Sequence, residues 1–143
     1  MTVFIDTAAL LAVLNAADTF HPAAKVAWQA LLTAETPLVT SNYILTETIA
    51  VLQHRFGTEA VRLFQTDILP IIEVYWIEEA VHQQGLSALL AANRRQLSLV
   101  DCTSFVIMRQ MGLDTVFTFD PHFREQGFTQ IPTEQTLQQN LER

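Results

Sequence analysis

The stretch Thr2-Val-Phe-Ile-Asp-Thr-Ala-Ala-Leu-Leu-Ala-Val-Leu14 decides the fold class of this chain. Its first four residues are β-prone, whereas residues 8–16 carry leucines at the spacing of an α-helix. The stretch therefore predicts a short strand that passes almost directly into a helix, with Asp6 at the junction.

The same alternation of strand and helix continues along the chain. Strands are predicted at residues 38–40, 71–76, 115–119 and 127–131, and helices at residues 22–32, 43–56, 58–69, 78–93 and 99–111. This alternation predicts a three-layer α/β/α sandwich with a four- or five-stranded, mainly parallel sheet. We expect one domain at residues 1–132, with residues 133–143 as its polar, partly helical C-terminal tail.

Composition limits the classes of function. Half of the 143 residues are hydrophobic, which predicts a sizeable core and excludes a disordered chain. The net charge of −7 argues against a protein that wraps nucleic acid by general charge attraction. It does not exclude an enzyme that meets phosphate through a bound metal ion, because the ion reverses the local sign of charge.

The same sequence predicts a cytoplasmic protein. A single cysteine, Cys102, cannot form an internal disulfide, which fits a reducing compartment. No apolar run approaches the length of a membrane-spanning helix, so we expect no membrane association. The apolar residues near the start lack a preceding basic segment and a cleavage pattern, so we expect no signal peptide.

Four carboxylates fall near one edge of the predicted sheet. Ligands of parallel sheets bind beyond the carboxyl ends of the strands. Asp6 and Asp120 each follow a predicted strand directly. Asp101 opens the helix that leads into the fourth strand, and Glu47 lies about one and a half turns into the helix after the second. We expect these four side chains to converge.

Three of the four acids have a structural alternative when each is taken singly. Asp6 can cap the helix that it precedes, and Asp101 can complete a capping box with Ser98. Asp120, which stands before Pro121, can belong to a turn. These alternatives stay open at the level of the individual residue.

Glu47 is harder to explain structurally. Ile44 and Val51 place it beside an apolar stripe, where a core residue is usual. A buried, unpaired carboxylate is costly, and four gathered carboxylates repel one another without a counter-charge. Mg²⁺ or Mn²⁺, which prefer oxygen ligands, would supply that charge.

Four segments carry these acids in order along the chain. They are Phe4-Ile-Asp6-Thr7, Leu45-Thr-Glu47-Thr48, Ser98-Leu-Val-Asp101-Cys-Thr-Ser104 and Thr118-Phe-Asp120-Pro-His-Phe123. Together they resemble the four acidic motifs of the PIN-domain ribonucleases, particularly those of the VapC-type toxin branch. The resemblance extends from Val3 to about Ile131, nearly the whole chain.

The resemblance implies a Mg²⁺- or Mn²⁺-dependent endoribonuclease that hydrolyses RNA phosphodiester bonds and is the toxin of a toxin–antitoxin pair. By the same resemblance, Asp6 and Asp101 are the principal metal ligands, and Glu47 and Asp120 complete the acidic set. Thr118 is implied as a hydroxyl donor behind these ligands. The implied partners are RNA, a second copy of the chain in a homodimer, and a small antitoxin protein.

Substrate contacts are harder to identify, since lysine is nearly absent and the arginines are scattered. His122 is close to Asp120 in sequence, but a solvent-facing or locally bonded histidine is the commoner case. Cys102 has no histidine pattern that would support a thiol nucleophile, so we expect it to serve packing. The candidate substrate contacts are Asn42, Arg94, Arg95, Arg109, His122 and Arg124.

Other enzyme classes with similar folds fit poorly. A haloacid-dehalogenase-type phosphatase needs a second acid where this chain has Ala8, and a receiver domain needs a late lysine, whereas the only lysine is Lys25. The glycines are isolated, so no loop is predicted to cradle a nucleotide phosphate. The remaining alternative is a non-catalytic PIN-like interaction module that uses the acids as caps, and divalent-metal binding would discriminate between the two.

Overall fold

Five parallel strands form one sheet in the computed structural model, which describes residues 1–141. Their order β3-β2-β1-β4-β5 places β1 at the centre, between β2 and β4. The sheet and its flanking helices confirm the predicted α/β/α fold class, with five strands. The strands are β1 Val3–Ile5, β2 Leu38–Ser41, β3 Glu73–Tyr75, β4 Thr115–Phe117 and β5 Thr129–Ile131.

The helices follow the predicted alternation closely. α6 has the predicted boundaries, and α3 begins after Ser41, whose side chain accepts a hydrogen bond from the amide of Ile44. The last helix lies in the predicted tail, of which positions 142–143 are outside the described residues. The helices are α1 Thr7–Leu14, α2 His21–Thr33, α3 Asn42–Phe56, α4 Thr58–Leu63, α5 Glu79–Ala92, α6 Leu99–Met111, α7 His122–Glu125 and α8 Glu134–Leu141. The division into residues 1–132 and a tail stays a prediction.

The prediction of one α-helix over residues 58–69 is wrong in its second half. α4 ends at Leu63, a wider π-helical turn covers Phe64–Ile68, and a 3₁₀ turn covers Leu69–Ile71. Pro70 lies in that 3₁₀ turn, where a residue without an N–H cannot continue the α-helical hydrogen bonding. The π-helical turn begins at Phe64, which is fully buried. The predicted third strand is correspondingly shorter, since Ile71 belongs to the turn.

The central strands are buried on both faces. All of β1 is inaccessible to solvent, and so are Val116 and Phe117 of β4. Strands that are covered on both faces have continuous apolar sequences, and Val3-Phe-Ile5 is such a sequence. Cys102 is buried in this core, in agreement with the packing role expected for it.

Gly85 allows α5 and α6 to approach each other closely. A Cβ atom at this position would lie 2.5 Å from Cγ2 of Thr103, far inside van der Waals contact. The glycine weakens α5 as a helix, but only a residue without a side chain fits there. The close contact fixes the position of α6, which carries Asp101 near its start.

The described residues contain no helix long and apolar enough to cross a membrane. A cytoplasmic location stays a prediction.

Candidate active site

The parallel pairing of β1 with β4 brings Asp6 and Thr118 together across 112 positions of sequence. Ile5 and Phe117 are partners in the register, so the residues that follow them leave the sheet side by side. The hydroxyl of Thr118 donates a hydrogen bond of 2.9 Å to Oδ2 of Asp6. Both side chains are buried. Asp6 precedes α1 but does not cap it with its side chain, so its carboxylate is directed to Thr118 instead.

Asp101 forms the capping box that the sequence left open as an alternative. The hydroxyl of Ser98 accepts a 3.0 Å hydrogen bond from the amide of Asp101, and Oδ2 of Asp101 accepts one of 3.0 Å from the amide of Ser98. This reciprocal pair fixes the carboxylate at the first turn of α6. The residue is nevertheless buried against the other acids, so the capping role does not exclude a place in the site.

Asp120 lies in a turn that is tied to the same threonine. Its amide donates a 3.0 Å hydrogen bond to Oγ1 of Thr118, and its Oδ1 accepts one of 2.9 Å from the amide of His122. Thr118 therefore donates to Asp6 and accepts from the backbone of Asp120. One buried hydroxyl positions two of the predicted site residues relative to each other.

His122 joins the acids, although the sequence marked it only as a candidate substrate contact. One ligand atom each from Asp101, Asp120 and His122 lies within 4.8 Å of the other two. Nδ1 of His122 is 2.7 Å from Oδ1 of Asp120, but the geometry of this contact does not make a hydrogen bond. Only 12% of the His122 side chain is exposed. The Asp-x-His spacing could have indicated this contact. In an Asx-turn the aspartate side chain binds the backbone two residues later, which brings that residue close to the carboxylate.

The electrostatics of the cluster favour a bound cation. Burial raises the pKa of the Asp6 carboxyl from 3.8 to about 7, and the charges of Asp101 and Asp120 add to this, against the hydrogen bonds from Thr118 and Thr7. Burial also raises the pKa of Asp101, with a further contribution from Asp120 and opposition from Ser98 and His122. Charged carboxylates in such a place are unfavourable until a positive charge compensates them.

Asp6 is expected to make the metal-free protein less stable as the pH rises. The folded state holds a proton on Asp6 that the unfolded chain releases, so the free energy of unfolding falls between the ordinary pKa of 3.8 and about 7. We expect Asp6 to account for a fall on the order of 2–4 kcal/mol from about pH 5 to about pH 8. Urea denaturation at several pH values, with a chelator present, measures it. An equally steep fall in Asp6→Asn would contradict this assignment.

Glu47 is placed differently from expectation. It is exposed, whereas the sequence led us to expect it beside the core. The buried stripe of α3 runs through Ile44, Thr48 and Leu52, and Glu47 lies about 100° around the helix from Thr48. No hydrogen bond or ion pair within residues 1–141 joins Glu47 to the three aspartates. Its membership of the acidic set stays a prediction.

Two candidate substrate contacts have structural partners. Oδ1 of Asn42 accepts a 2.6 Å hydrogen bond from the amide of Ile77, which ties the start of α3 to the segment after β3. Nε of Arg124 donates one of 2.9 Å to Oε1 of Gln130. Neither contact reaches the aspartates, so the structure gives both residues a role in the scaffold.

The other candidate arginines surround α7 at the surface. Arg94 forms an exposed ion pair of 2.8 Å with Glu125, and Arg109 donates a 2.7 Å hydrogen bond to the side chain of Gln126. Arg95 is exposed next to Arg94. Exposed pairs of this kind contribute little to stability, which leaves these side chains available to other partners.

Comparison with known proteins identifies relatives over nearly the whole chain. The model of the PIN domain family matches residues 3–128. The 23S rRNA-specific endonuclease VapC20 of Mycobacterium tuberculosis is 32% identical over 134 residues, a match that covers 92% of this chain and 99% of the relative.

Solved structures agree with this match. The crystal structure of Mycobacterium tuberculosis VapC20, described as a sarcin-ricin loop cleaving toxin, superposes with a TM-score of 0.76 at 31% identity and covers 89% of this chain and 96% of its own. FitAcB from Neisseria gonorrhoeae superposes with a TM-score of 0.67 at 16% identity, over 91% of this chain and 96% of its own. At that identity the second likeness concerns the fold alone.

Proposed function

This chain belongs to the PIN domain family, and from that premise we propose that it is a divalent-metal-dependent endoribonuclease of the VapC type, the toxin of a toxin–antitoxin pair. The observation that carries the proposal is the convergence of Asp6, Asp101 and Asp120 on one buried site, from three separate elements. The 32% identical relative is an endonuclease, and the match covers 99% of its length, which favours catalysis over a non-catalytic interaction module.

The side chains of the site fit Mg²⁺ or Mn²⁺. Carboxylate oxygens are the ligands that both ions prefer, and burial, together with the charges of Asp101 and Asp120, raises the pKa of Asp6, a cost that a bound cation would offset. We assign Asp6, Asp101 and Asp120 as the residues that hold the ion. The family resemblance implies that Glu47 completes the set, directly or through metal-bound water. The nearby His122 nitrogen is a ligand that Mn²⁺ accepts more readily than Mg²⁺ does.

The residues of the chain prepare this site before substrate arrives. A bound divalent ion supplies an activated water and neutralises charge on the phosphoryl oxygens. Thr118 holds Asp6 through its hydroxyl proton and holds the Asp120 turn through its oxygen. The capping box keeps the carboxylate of Asp101 on a rigid helix terminus. Preorganised carboxylates of this kind do not need to reorient during the reaction.

The proposed partners are RNA, a second copy of the chain and a small antitoxin. Large apolar side chains at the surface are compatible with the two protein interfaces, because apolar side chains are often buried at contact sites. Trp76 is 68% exposed and Leu90 is 72% exposed. Phe56 and Leu63 are also half exposed, on neighbouring helices.

The function is tested by incubating the protein with intact ribosomes and with total RNA, each with Mn²⁺, Mg²⁺ or a chelator. We expect cleavage that requires the metal, with its principal new 5′ end in 23S rRNA, since that is the substrate of the 32% identical relative. Sequencing of RNA 5′ ends locates the cut. Cleavage that persists in the chelator would contradict the metal site, and metal-dependent cleavage of other RNAs alone would overturn the rRNA assignment while leaving the enzyme class standing.

A further inference from the structure

A cavity of about 630 Å³ lies directly beside the acidic cluster, and Asp120 lines it. Its walls come from α1, the segment between α1 and α2, the end of α3 and the turn after β4. The volume falls in the range of about 300–1,000 Å³ that is usual for small-ligand sites. The lining residues used below are Leu11, Asp18, Phe20, Arg55, Phe119 and Asp120.

Two stacked aromatic rings form one wall of this cavity. The rings of Phe20 and Phe119 are 4.7 Å apart between centroids and inclined by 8°. Oδ1 of Asp18 accepts a 2.8 Å hydrogen bond from the amide of Phe20 and so fixes the backbone that carries one ring. Neither ring is fully buried, and both border the cavity. Aromatic side chains at the rim of a cavity are the platforms on which single-stranded bases stack.

An exposed arginine faces the same space. Arg55 lies in the last turn of α3 and is exposed. Within residues 1–141 it makes no hydrogen bond or ion pair, although Asp18 and Asp120 line the same cavity. A guanidinium group presents a fork of N–H donors that matches a phosphate. Arg55 therefore places a positive charge in the cavity that Asp120 also lines, in a chain with a net charge of −7.

We propose that this cavity is the subsite for the nucleotide next to the scissile phosphate. The base packs against the Phe20–Phe119 pair over the apolar side of α1 at Leu11, and Arg55 holds a backbone phosphate. The proposal rests on the proposed ribonuclease function, which it deepens. Continuity with Asp120, the stacked rings and a guanidinium group with no hydrogen-bond or ion-pair partner among the described residues together fit a nucleotide better than a segment of a partner protein.

The stacking contact is tested with a short RNA that the protein cuts at one position, in which each flanking base is removed in turn. We expect Phe20→Leu, which keeps an apolar side chain of similar size, to raise the KM about ten-fold with little change in kcat. One abasic position should raise the KM of the wild-type protein equally. That same abasic position should cause no further rise in Phe20→Leu, because both changes remove one contact.

The phosphate contact is tested by salt dependence, with a matched control. Arg55→Gln should lower the slope of log Kd against log salt by about 0.7 for the same oligonucleotide. Arg62→Gln removes an equal charge from an exposed site on α4, 3.6 Å from Glu59, and should leave the slope unchanged. Since Arg55 is exposed, its replacement is expected to fold normally even if Phe20→Leu does not.

The outcomes separate this proposal from the function on which it rests. A wild-type protein that cuts no RNA with either ion overturns the proposed function, and the subsite with it. A wild-type protein that cuts RNA, together with additive abasic and Phe20→Leu effects and an unchanged salt slope in Arg55→Gln, overturns the subsite alone. Variants that lose affinity for a partner protein but not for RNA also overturn it, and assign the cavity to a protein interface.

Discussion

We expect Asp6→Asn to cleave RNA in the presence of metal more than about 100-fold more slowly than the wild type. This loss exceeds the one usually caused by replacing a residue that hydrogen-bonds to a metal ligand. The substitution keeps the size of the side chain, and Oδ1 of asparagine can still accept the hydrogen bond from Thr118. It removes the negative charge that a hard divalent ion requires. The measurement is a single-turnover cleavage rate in Mn²⁺ and in Mg²⁺.

The same variant should be more stable than the wild type in the metal-free state at about pH 8, because Asp6 carries an unfavourable charge above its pKa of about 7. Lost activity with gained stability excludes simple misfolding as the cause. Asp67→Asn is the matched control, since Asp67 is exposed in the π-helical turn away from the cluster. Cleavage by Asp6→Asn at the wild-type rate would refute the assignment of this carboxylate to the metal site.

The sequence predicted those parts of the fold that depend on local pattern. The strand before Asp6 and the boundaries of α6 follow from apolar runs and from caps such as Ser98 and Gly112, which act within a few residues. The π-helical turn at Phe64–Ile68 was missed because it depends on how Phe64 enters the core. No pattern within one helix contains that information.

The candidate site, like the fold, could be predicted from the sequence only in part. Sequence order indicated the edge of the sheet at which Asp6 and Asp120 emerge, since the carboxyl ends of parallel strands share an edge. Glu47 was expected beside the core, but the helix turns it to the surface, because adjacent residues of an α-helix differ by about 100° in direction and the buried neighbour is Thr48. The contact between His122 and Asp120 depends on a turn geometry that the sequence permits without requiring.

In this site one residue can have a structural role and a functional role at the same time. Oδ2 of Asp101 accepts from the amide of Ser98, yet a carboxylate has about four lone-pair sites and one such bond leaves the others free. Asp120 likewise accepts from the amide of His122 within its turn and still faces the cluster. Local hydrogen bonds of this kind fix carboxylates in place, so a cap or a turn is a means of positioning a metal ligand.

Asp101→Asn and Ser98→Ala are expected to separate the two roles of the capping box. Asp101→Asn should lower the metal-dependent cleavage rate by more than about 100-fold and reduce the rise of Tm on adding Mn²⁺, because a charged ligand is lost. The metal-free protein should be at least as stable as the wild type, since an asparagine oxygen can accept from the Ser98 amide and a charge that burial disfavours is removed.

Ser98→Ala should lower the stability without weakening metal binding, because it removes a cap but no carboxylate. The free energy of unfolding should fall by about 1 kcal/mol, the usual cost of losing a side-chain cap, while Mn²⁺ binding by calorimetry stays near that of the wild type. The paired design matters because both residues belong to the same reciprocal hydrogen bonds, so a general disturbance of α6 would affect the two variants alike. Metal binding and cleavage at the wild-type level in Asp101→Asn would show that Asp101 is only a cap, and the metal site would then have to be built without it.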